Sequence, residues 1–227
     1  IPLPPTPWSS DEEFERLKEE QPDVVKGWKI KASSVYTERI RIRSKRFRIA
    51  QQIWVAEKFR DEEEIFFVWT LDWRGRMYPV QTFLSPQADD LGKALLEFAE
   101  GKPLGPRGGY WLAVQLANTF GVDKVSFDAR VQWVHENEDM ILDSALKPLD
   151  GLRFWEEADD PWQFLAACLD WAGYRDEGEA HVSHLPVAMD GTCNGLQNLS
   201  AMLLDEVGGA AVNLVPADKP QDVYSKV

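Results

Sequence analysis

The sequence predicts an α+β protein that is mainly helical and carries a small antiparallel sheet. Most of the chain has apolar residues at helical spacing, with capping residues and prolines at the element boundaries. One segment is instead rich in β-branched and aromatic residues and contains Gly75 and Pro79, which is typical of two short strands around a bend. The 227 residues are 44% hydrophobic, enough for one large or two small domains. No apolar run approaches the roughly 18–20 residues of a membrane span.

The predicted helices can be placed in chain order. Ser10 and Glu13 form a capping box at the start of a short helix that Pro22 interrupts. A long helix then runs from Asp23 to about Phe59. After the two strands, four helices are expected over residues 89–101, 108–121, 128–146 and 161–174, followed by a short buried strand over 184–189 and a helix capped by Asn194. Five tryptophans lie on apolar faces of these elements and are predicted core residues: Trp111, Trp133, Trp155, Trp162 and Trp171.

Charge is distributed unevenly along the chain. The formal net charge is −13, yet residues 39–48 read RIRIRSKRFR and hold six cations and no acid, so setting these six aside leaves −19 on the rest. An acidic protein with one dense basic segment can bind a polyanion there. The alternative is a solvated helix face paired with the acidic excess. We divide the chain into residues 1–60, a Pro-rich segment with this long basic helix, and residues 61–227.

The cysteines and histidines give little indication of a metal or disulfide site. Cys168 and Cys193 are far apart and form no CxxC pair, which suits a reducing compartment and makes a structural zinc site improbable. His181 and His184 are three residues apart, a possible ligand spacing, but no third ligand is evident. We interpret both histidines as buried or turn residues.

The segment VAMDGTCNGLQNLSAM, residues 187–202, is the most informative of the chain. Asp190 ends an apolar run, and Gly191 and Gly195 leave the following backbone without side chains. A lone carboxylate in this position can hold a metal against a substrate. The alternative is an Asx-turn after a strand.

A second cluster of polar residues is DWRGR, residues 72–76. If the segment is extended, Arg74, Arg76 and Tyr78 share one face, because side chains alternate along a strand. Two guanidinium groups and an aromatic ring on one face suit a phosphate backbone and a stacked base. The alternative is a surface ladder in which Asp72 neutralises one of the arginines.

Several blocks of the sequence resemble the single-subunit RNA polymerases of bacteriophages and mitochondria. They are LDWRGRMYP, GKALLEFAEGKPLGPRGGYWL, HLPVAMDGTCNGLQNLSAMLLDEVGGAAVNL and PQDVYSKV, in the order and at about the spacing of the family. The resemblance runs from roughly residue 25 to the C-terminus. It implies part of a right-hand polymerase fold, with the palm portion and the first catalytic Asp motif in residues 61–227. Thr192 and Asn198 stand where the family commonly has Ser and His.

The resemblance implies transfer of nucleotides from NTPs to an RNA 3′ end on a DNA template, with Mg²⁺ as cofactor. Asp190 would be the catalytic metal ligand, the Gly191 carbonyl would add an oxygen, and Gly195 and Tyr224 would lie at the nucleotide. The implied contacts to template, transcript and hybrid come from the basic helix and DWRGR: Arg43, Lys45, Arg46, Arg48, Arg74, Arg76 and Tyr78.

The same resemblance places the second metal Asp and the fingers helix after Val227, so we expect a fragment that is inactive alone and needs a C-terminal fingers and palm part. One subunit of a split polymerase and a non-catalytic nucleic-acid-binding remnant are the alternatives. A metal-dependent phosphodiesterase is a weaker one, because no second acidic motif converges on Asp190. The compact spacing from Asp72 to Asp190 is similar to that of phage enzymes. It favours the cytoplasm of a bacterium carrying a phage or prophage over the mitochondrial matrix.

Overall fold

The computed structural model describes residues 1–187 and 191–224, and the chain divides after Arg60 into two compact units. The helices are α1 (Asp11–Glu20), α2 (Pro22–Phe59), α3 (Asp90–Ala94), α4 (Gly105–Phe120), α5 (Phe127–Glu136), α6 (Glu138–Leu146), α7 (Pro161–Glu177), α8 (Asn194–Leu203) and α9 (Glu206–Ala211). The strands are β1 (Trp69–Leu71), β2 (Met77–Pro79), β3 (Lys102–Pro103) and β4 (Val182–Ser183). The predicted fold class, mainly helical α+β, is confirmed. Within the described ranges, none of these helices combines the length and the apolar composition that a membrane crossing requires.

The first unit consists of α1, α2 and the Pro-rich segment before them. One half of the predicted capping box is present, and the Glu13 carboxylate binds the residue before the N-cap instead of the N-cap itself. The Ser10 hydroxyl accepts from the N–H of Glu13 at 3.2 Å, and the Glu13 carboxylate accepts from the N–H of Ser9 at 2.7 Å. Trp8 packs against Trp28 with ring centroids 4.9 Å apart, and the Trp28 indole donates to the Pro4 carbonyl. The N-terminal segment is therefore tied to both helices.

The second unit is built around four helices. Each of α4 and α6 packs against α7, and α4 also packs against α5. The core at these contacts is apolar, and its largest fully buried side chains include Leu116, Val134, Ile141, Phe164 and Trp171. Of the five tryptophans predicted in the core, Trp155 and Trp171 are buried, whereas Trp111 and Trp162 are exposed at more than two fifths of their surface. The core prediction is wrong for those two.

The strands form two separate two-stranded antiparallel sheets. In the first, β1 pairs with β2 so that Thr70 lies opposite Tyr78, which confirms the predicted strands around a bend. In the second, β3 pairs with β4, and Lys102 lies opposite Ser183. The second sheet joins two distant parts of the chain and was not predicted as a pair.

Helix α3 is shorter than the sequence predicts. The predicted helix continues to Gly101, whereas α3 ends at Ala94. The chain leaves the helix because the N–H of Phe98 donates to the carbonyl of His184 at 2.9 Å, and the next residues form β3. A Cβ at Gly101 would collide with the His184 ring, so glycine permits this close approach.

Two other predicted elements differ from the structure. The single helix expected over residues 128–146 is two helices, because α5 ends at Glu136 and the Asn137 amide donates to the Trp133 carbonyl at 2.8 Å. The strand expected over residues 184–189 is wrong for the described residues 184–187, which are irregular. Pro186 has no N–H to donate to a ladder, and pairing occurs at β4 instead.

Candidate nucleic-acid interface and catalytic motif

DWRGR forms the turn between β1 and β2. The N–H of Gly75 donates to the Asp72 carbonyl at 3.0 Å, and the N–H of Asp72 donates to the Arg76 carbonyl at 2.9 Å. Gly75 has a φ of +80°, in the left-handed region that favours glycine. This is a three-residue hairpin loop that ends in a left-handed glycine. The glycine is therefore needed by the backbone of the turn, in addition to any effect on access.

The Asp72 carboxylate organises this turn. Its Oδ1 accepts from the backbone N–H groups of Arg74 and Arg76 at 2.8 and 2.9 Å, and its Oδ2 accepts from Nε and Nη2 of Arg74 at 3.0 and 2.8 Å. The backbone N–H of Arg76, followed by the groups of Arg74, holds the pKa of Asp72 below its ordinary value. Arg74 is thus partly neutralised, in the way that the surface-ladder alternative predicted for one arginine.

Only part of the predicted DWRGR face is present. Arg74 lies in the turn, so its side chain does not follow strand alternation with Arg76 and Tyr78. Arg76 still pairs with Asp72 in the β1–β2 register and lies two residues before Tyr78, so these two share a face. The Arg76 guanidinium makes no hydrogen bond or ion pair with any residue in the described ranges. It is available for a ligand.

The basic segment lies on α2, and its cations are exposed. Arg41 forms a two-point contact with Glu38, at 2.7 and 2.6 Å, and Arg39 donates to the Ile1 carbonyl. Arg43, Lys45 and Arg46 form no ion pair within the parts of the chain that are described. Pairing with the acidic excess therefore neutralises at most part of the segment, which weakens the solvated-face alternative.

The six cations form two rows along α2. Spacings of four and then three residues place side chains on the same helix face. One row follows this spacing from Arg39, and the other follows it from Arg41. The rows are Arg39, Arg43 and Arg46 on one face, and Arg41, Lys45 and Arg48 on the opposite face. Each face of the helix thus presents three positive charges.

Asp190 lies outside the described residues, and the structure describes the chain again from Gly191. A Cβ at Gly191 would require the exposed Asn194 side chain to move, because its Oδ1 lies against this position. Cys193, with a φ of +59°, is the cap of α8, and its carbonyl accepts from the N–H of Gln197 at 3.1 Å. The prediction that Asn194 caps this helix is wrong, because Asn194 is its first residue.

A network of hydrogen bonds holds the loop that follows Asp190. The Asn213 amide donates to the Thr192 hydroxyl at 3.0 Å and to the Gln221 carbonyl at 2.8 Å, and its Oδ1 accepts from the N–H of Gln221 at 2.6 Å. The Gln197 amide donates to the Val212 carbonyl at 2.8 Å. Sequence reasoning missed Asn213 and Gln221. Both lie within the blocks that resemble the polymerase family, and Asn213 stands two residues after a Gly- and Ala-rich helix, where Asn tolerates its φ of +61°.

The two predicted nucleotide contacts lie on either side of this network. Gly195 is in the first turn of α8, and a Cβ there would meet only open space, so its backbone is accessible. Tyr224 follows Gln221, and 72% of its surface is exposed. Its N–H donates to the Asp222 carboxylate at 3.0 Å. The network thus connects the chain segments that carry Gly195 and Tyr224.

The chain that leads towards Asp190 is anchored to α7. Asp170 accepts from the Ser183 hydroxyl at 2.7 Å and contacts Nε2 of His181 at 2.9 Å, while Nδ1 of His181 lies 3.2 Å from Glu177. Burial lowers the pKa of the His181 imidazole, but the hydrogen bonds to Asp170 and Glu177 outweigh it and the net pKa is raised. His181 therefore bonds to two carboxylates, but its side chain is only partly buried, with 15% of its surface exposed.

Metal-binding groups are scarce in the described part of the chain. Residues 1–187 and 191–224 contain no cluster of three or more His, Cys, Asp or Glu side chains that could hold an ion. A site at this motif would use the Asp190 carboxylate and the Gly191 carbonyl. Both are hard oxygen donors of the type that Mg²⁺ prefers, and one or two carboxylates suffice for this ion when it keeps waters or substrate oxygens.

Comparison with known protein families matches the larger part of the chain. Residues 102–227 match the family model described as DNA-dependent RNA polymerase. This range covers more than half of the chain and includes the segment around Asp190.

Curated relatives of this chain include polymerases of phages and of plant organelles. T7 RNA polymerase of Escherichia phage T7 is 43% identical over 206 residues, which is 91% of this chain and 23% of the relative. The mitochondrial DNA-directed RNA polymerase 1B of Nicotiana tabacum is 41% identical over 231 residues, which is 100% of this chain and 22% of the relative. The chloroplastic DNA-directed RNA polymerase 3 of Nicotiana sylvestris is 42% identical over 207 residues, which is 89% of this chain and 21% of the relative. The chain thus spans about a fifth of the length of these relatives.

Proposed function

Because this chain belongs to the DNA-dependent RNA polymerase family, we propose that it supplies the first catalytic Asp motif and part of the nucleic-acid groove of a single-subunit polymerase. The reaction would be nucleotidyl transfer from NTPs to an RNA 3′ end on a DNA template. The observation that carries this proposal is the family match across residues 102–227, which contains Asp190 and the hydrogen bonds that follow it.

The proposed cofactor is Mg²⁺, held by Asp190 and the Gly191 carbonyl. When bound, it lowers the charge of the triphosphate and activates the 3′ hydroxyl. Asp190 would carry the negative charge that fixes the ion. The hydrogen bond between Thr192 and Asn213 would hold this backbone in place. Reacting groups must be held to a fraction of an ångström for efficient transfer, which is the role we assign to this network.

Nucleotide and nucleic-acid contacts would lie on both sides of the motif. The bare backbone at Gly195 allows the incoming ribose to approach, and the exposed ring of Tyr224 is available to the nucleotide. Arg76 and Tyr78 would contact the template or hybrid from one face of the hairpin. Arg74 would use Nη1, since Asp72 occupies its Nε and Nη2. On α2, Arg43, Lys45, Arg46 and Arg48 would contact phosphates.

We further propose that another part of the polymerase, in the same or a separate chain, covers α8 and α9. Large apolar side chains on these helices are strongly exposed, including Met202 of α8 at 81% and Val207 of α9 at 83%. Contiguous exposed apolar surface of this kind usually marks an interaction site. The relatives are about four times as long as this chain, so they contain further segments that could occupy it.

We prefer a phage or prophage source for this chain. The corresponding compartment is the bacterial cytoplasm, and the mitochondrial matrix is the alternative. The compact spacing from Asp72 to Asp190 supports the preference. Identity alone does not decide between them, because the phage and organelle relatives are equally similar.

The proposal is tested by templated incorporation of labelled nucleotide in a complete polymerase that contains this chain. Asp190→Asn should abolish elongation and leave template binding nearly unchanged, because the amide keeps the shape of the carboxylate but loses its charge. Asp218→Asn, at an exposed position beyond α9, is the matched control and should elongate like the wild type. Elongation by Asp190→Asn above a few per cent would remove Asp190 from the catalytic role. The isolated 227-residue chain should make no RNA, and Mg²⁺-dependent product from it would contradict the need for a further part.

A further inference from the structure

Helix α2 carries a stripe of exposed aromatic side chains next to one of its two basic rows. Tyr36, Phe47 and Trp54 are exposed at 51%, 60% and 63%. At about 100° per residue they lie within about 20° of one another around the helix axis, and at about 1.5 Å per residue they span about 27 Å. The row that contains Arg39 and Arg43 lies beside them on the same side of the helix.

Each of these rings is accompanied by a cation. The guanidinium of Arg39 lies 5.8 Å from the Tyr36 ring centre, and that of Arg43 lies 5.8 Å from the Phe47 ring centre. The Lys58 ammonium lies 5.8 Å from the centre of Trp54. None of the three rings packs against another aromatic ring within the described ranges, whereas Trp8, Phe14 and Trp28 of the same unit pack together. Single exposed aromatic residues are common on protein surfaces, but an aligned set, each with its own cation, is not explained by burial.

We propose that Tyr36, Phe47 and Trp54 form a stacking site for the unpaired bases of a single-stranded nucleic acid. This inference rests on the proposed nucleic-acid role of α2 and specifies the ligand. Proteins that bind single strands combine a basic track for phosphates with aromatic side chains on which bases stack. Along α2, about 17 Å separate Tyr36 from Phe47 and about 10 Å separate Phe47 from Trp54, so each ring would take a different base.

The charge pattern favours this ligand over a second helix. A coiled-coil partner would require apolar residues at both core positions of a heptad. Ile40, Phe47 and Trp54 could form one set of core positions, but the other set would contain Tyr36, Arg43 and Ala50. The exposed Arg43 would then be buried in a helix–helix seam, whereas a nucleic-acid strand would bind it through phosphate.

The experiment measures anisotropy of a labelled 16-nucleotide single strand, an abasic strand of the same length and an RNA–DNA hybrid, each titrated with the purified full chain over a range of salt. The test variant is Phe47→Leu with Trp54→Leu, which removes stacking but keeps apolar, helix-forming residues. The charge control is Arg43→Gln with Arg46→Gln. Far-UV circular dichroism confirms that the helix content of each variant is retained.

The aromatic variant should bind the single strand at least about tenfold more weakly, since stacking contributes about 1–3 kcal/mol per base. Its binding of the abasic strand and its salt slope should match the wild type. Wild-type affinity of this variant for the single strand would overturn the stacking site. If the charge control still lowers the salt slope in that case, the phosphate role of α2 survives. If neither variant changes binding, the stacking site and the phosphate role of α2 are both wrong. Concentration-dependent dimerisation that the aromatic substitutions abolish would identify the stripe as a contact between copies and would also overturn the site.

Discussion

The side-chain amide of Asn213 donates a hydrogen bond to the Thr192 hydroxyl at 3.0 Å, across 21 positions of the sequence. This bond joins the loop after Asp190 to the chain beyond α9. The same amide binds Gln221, so one side chain connects three segments. Any function of the motif that depends on a fixed backbone therefore depends on Asn213, which lies near the end of the block HLPVAMDGTCNGLQNLSAMLLDEVGGAAVNL, 23 positions after Asp190.

We expect Thr192→Val and Asn213→Gly to be coupled in stability. Valine removes the hydroxyl, and glycine removes the amide while keeping the φ of +61° without strain. A hydrogen bond of this type contributes about 0.5–1.5 kcal/mol, so a double-mutant cycle by urea unfolding of the chain should give a coupling energy in that range. Thr192→Ser keeps the hydroxyl and is the control. Strictly additive losses would mean that the two side chains do not stabilise each other.

The hairpin leads to a second prediction, which separates its two arginines. Arg76→Ala in a complete polymerase should lower the rate of single-nucleotide addition by roughly 10–100-fold at saturating template, because a misplaced strand reacts slowly. Its effect on template affinity should be smaller. Arg74→Ala should have a lesser effect on the rate, because Asp72 already binds much of that guanidinium. Equal losses for both variants, or a wild-type rate for Arg76→Ala, would reduce DWRGR to a structural turn.

Much of this fold could be predicted from local sequence signals. Long helices have their own periodicity, caps and prolines, and α1, α2, α4 and α7 follow them. The errors fall where distant contacts decide the structure. Helix α3 ends early because Phe98 bonds to His184, 86 positions away. Trp111 and Trp162 lie on faces that look apolar locally, but each packs against one ring of another element, Phe127 or Trp155, and stays more than two fifths exposed.

The candidate site could be predicted only as far as its residue types allowed. The hairpin and the basic helix were identified, but the bond between Asp72 and Arg74 depends on a turn whose loop length the sequence left open. The Asn213 network could not be predicted, because nothing in the local pattern indicates which loop an isolated asparagine will contact. Asp190 itself lies outside the described residues, so its role stays a prediction.

A third prediction concerns the two basic rows on α2. Arg43→Gln with Arg46→Gln removes two charges from one face, and Lys45→Gln with Arg48→Gln removes two from the other. Removing one phosphate-binding cation should lower the magnitude of the salt slope of hybrid binding by roughly 0.7–0.9. If all four residues bind phosphate, both pairs lower it by about twice that amount. A lower salt slope in only one of the two double variants would place the nucleic acid along that face of α2. Unchanged slopes in both variants would make the segment a solvated helix surface.

The last prediction is a pH dependence that originates at His181. Its folded-state pKa lies above the ordinary value of 6.5, because its hydrogen bonds to Asp170 and Glu177 outweigh burial. A raised folded pKa stabilises the fold fully below the unfolded pKa, and the contribution disappears as pH rises through the folded value. Two further hydrogen-bonding groups lie on the elements around this ring. The Ser183 hydroxyl donates to Asp170, and the Leu104 N–H donates to the His181 carbonyl.

Urea unfolding of the chain at pH 6 and pH 8 measures how the contribution of His181 to stability depends on pH. The wild type should lose more stability between these values than His181→Gln, which cannot be protonated and retains a polar side chain of similar reach. Glu177→Gln should retain part of the dependence, because Asp170 still binds the ring at 2.9 Å. The chain between β4 and Asp190 follows this anchor directly. An elongation assay of a complete polymerase at the two pH values would therefore indicate whether the loss of stability also lowers the activity that we assign to the Asp190 motif. An identical pH dependence in the wild type and His181→Gln would assign it to other groups and leave His181 with a packing role only.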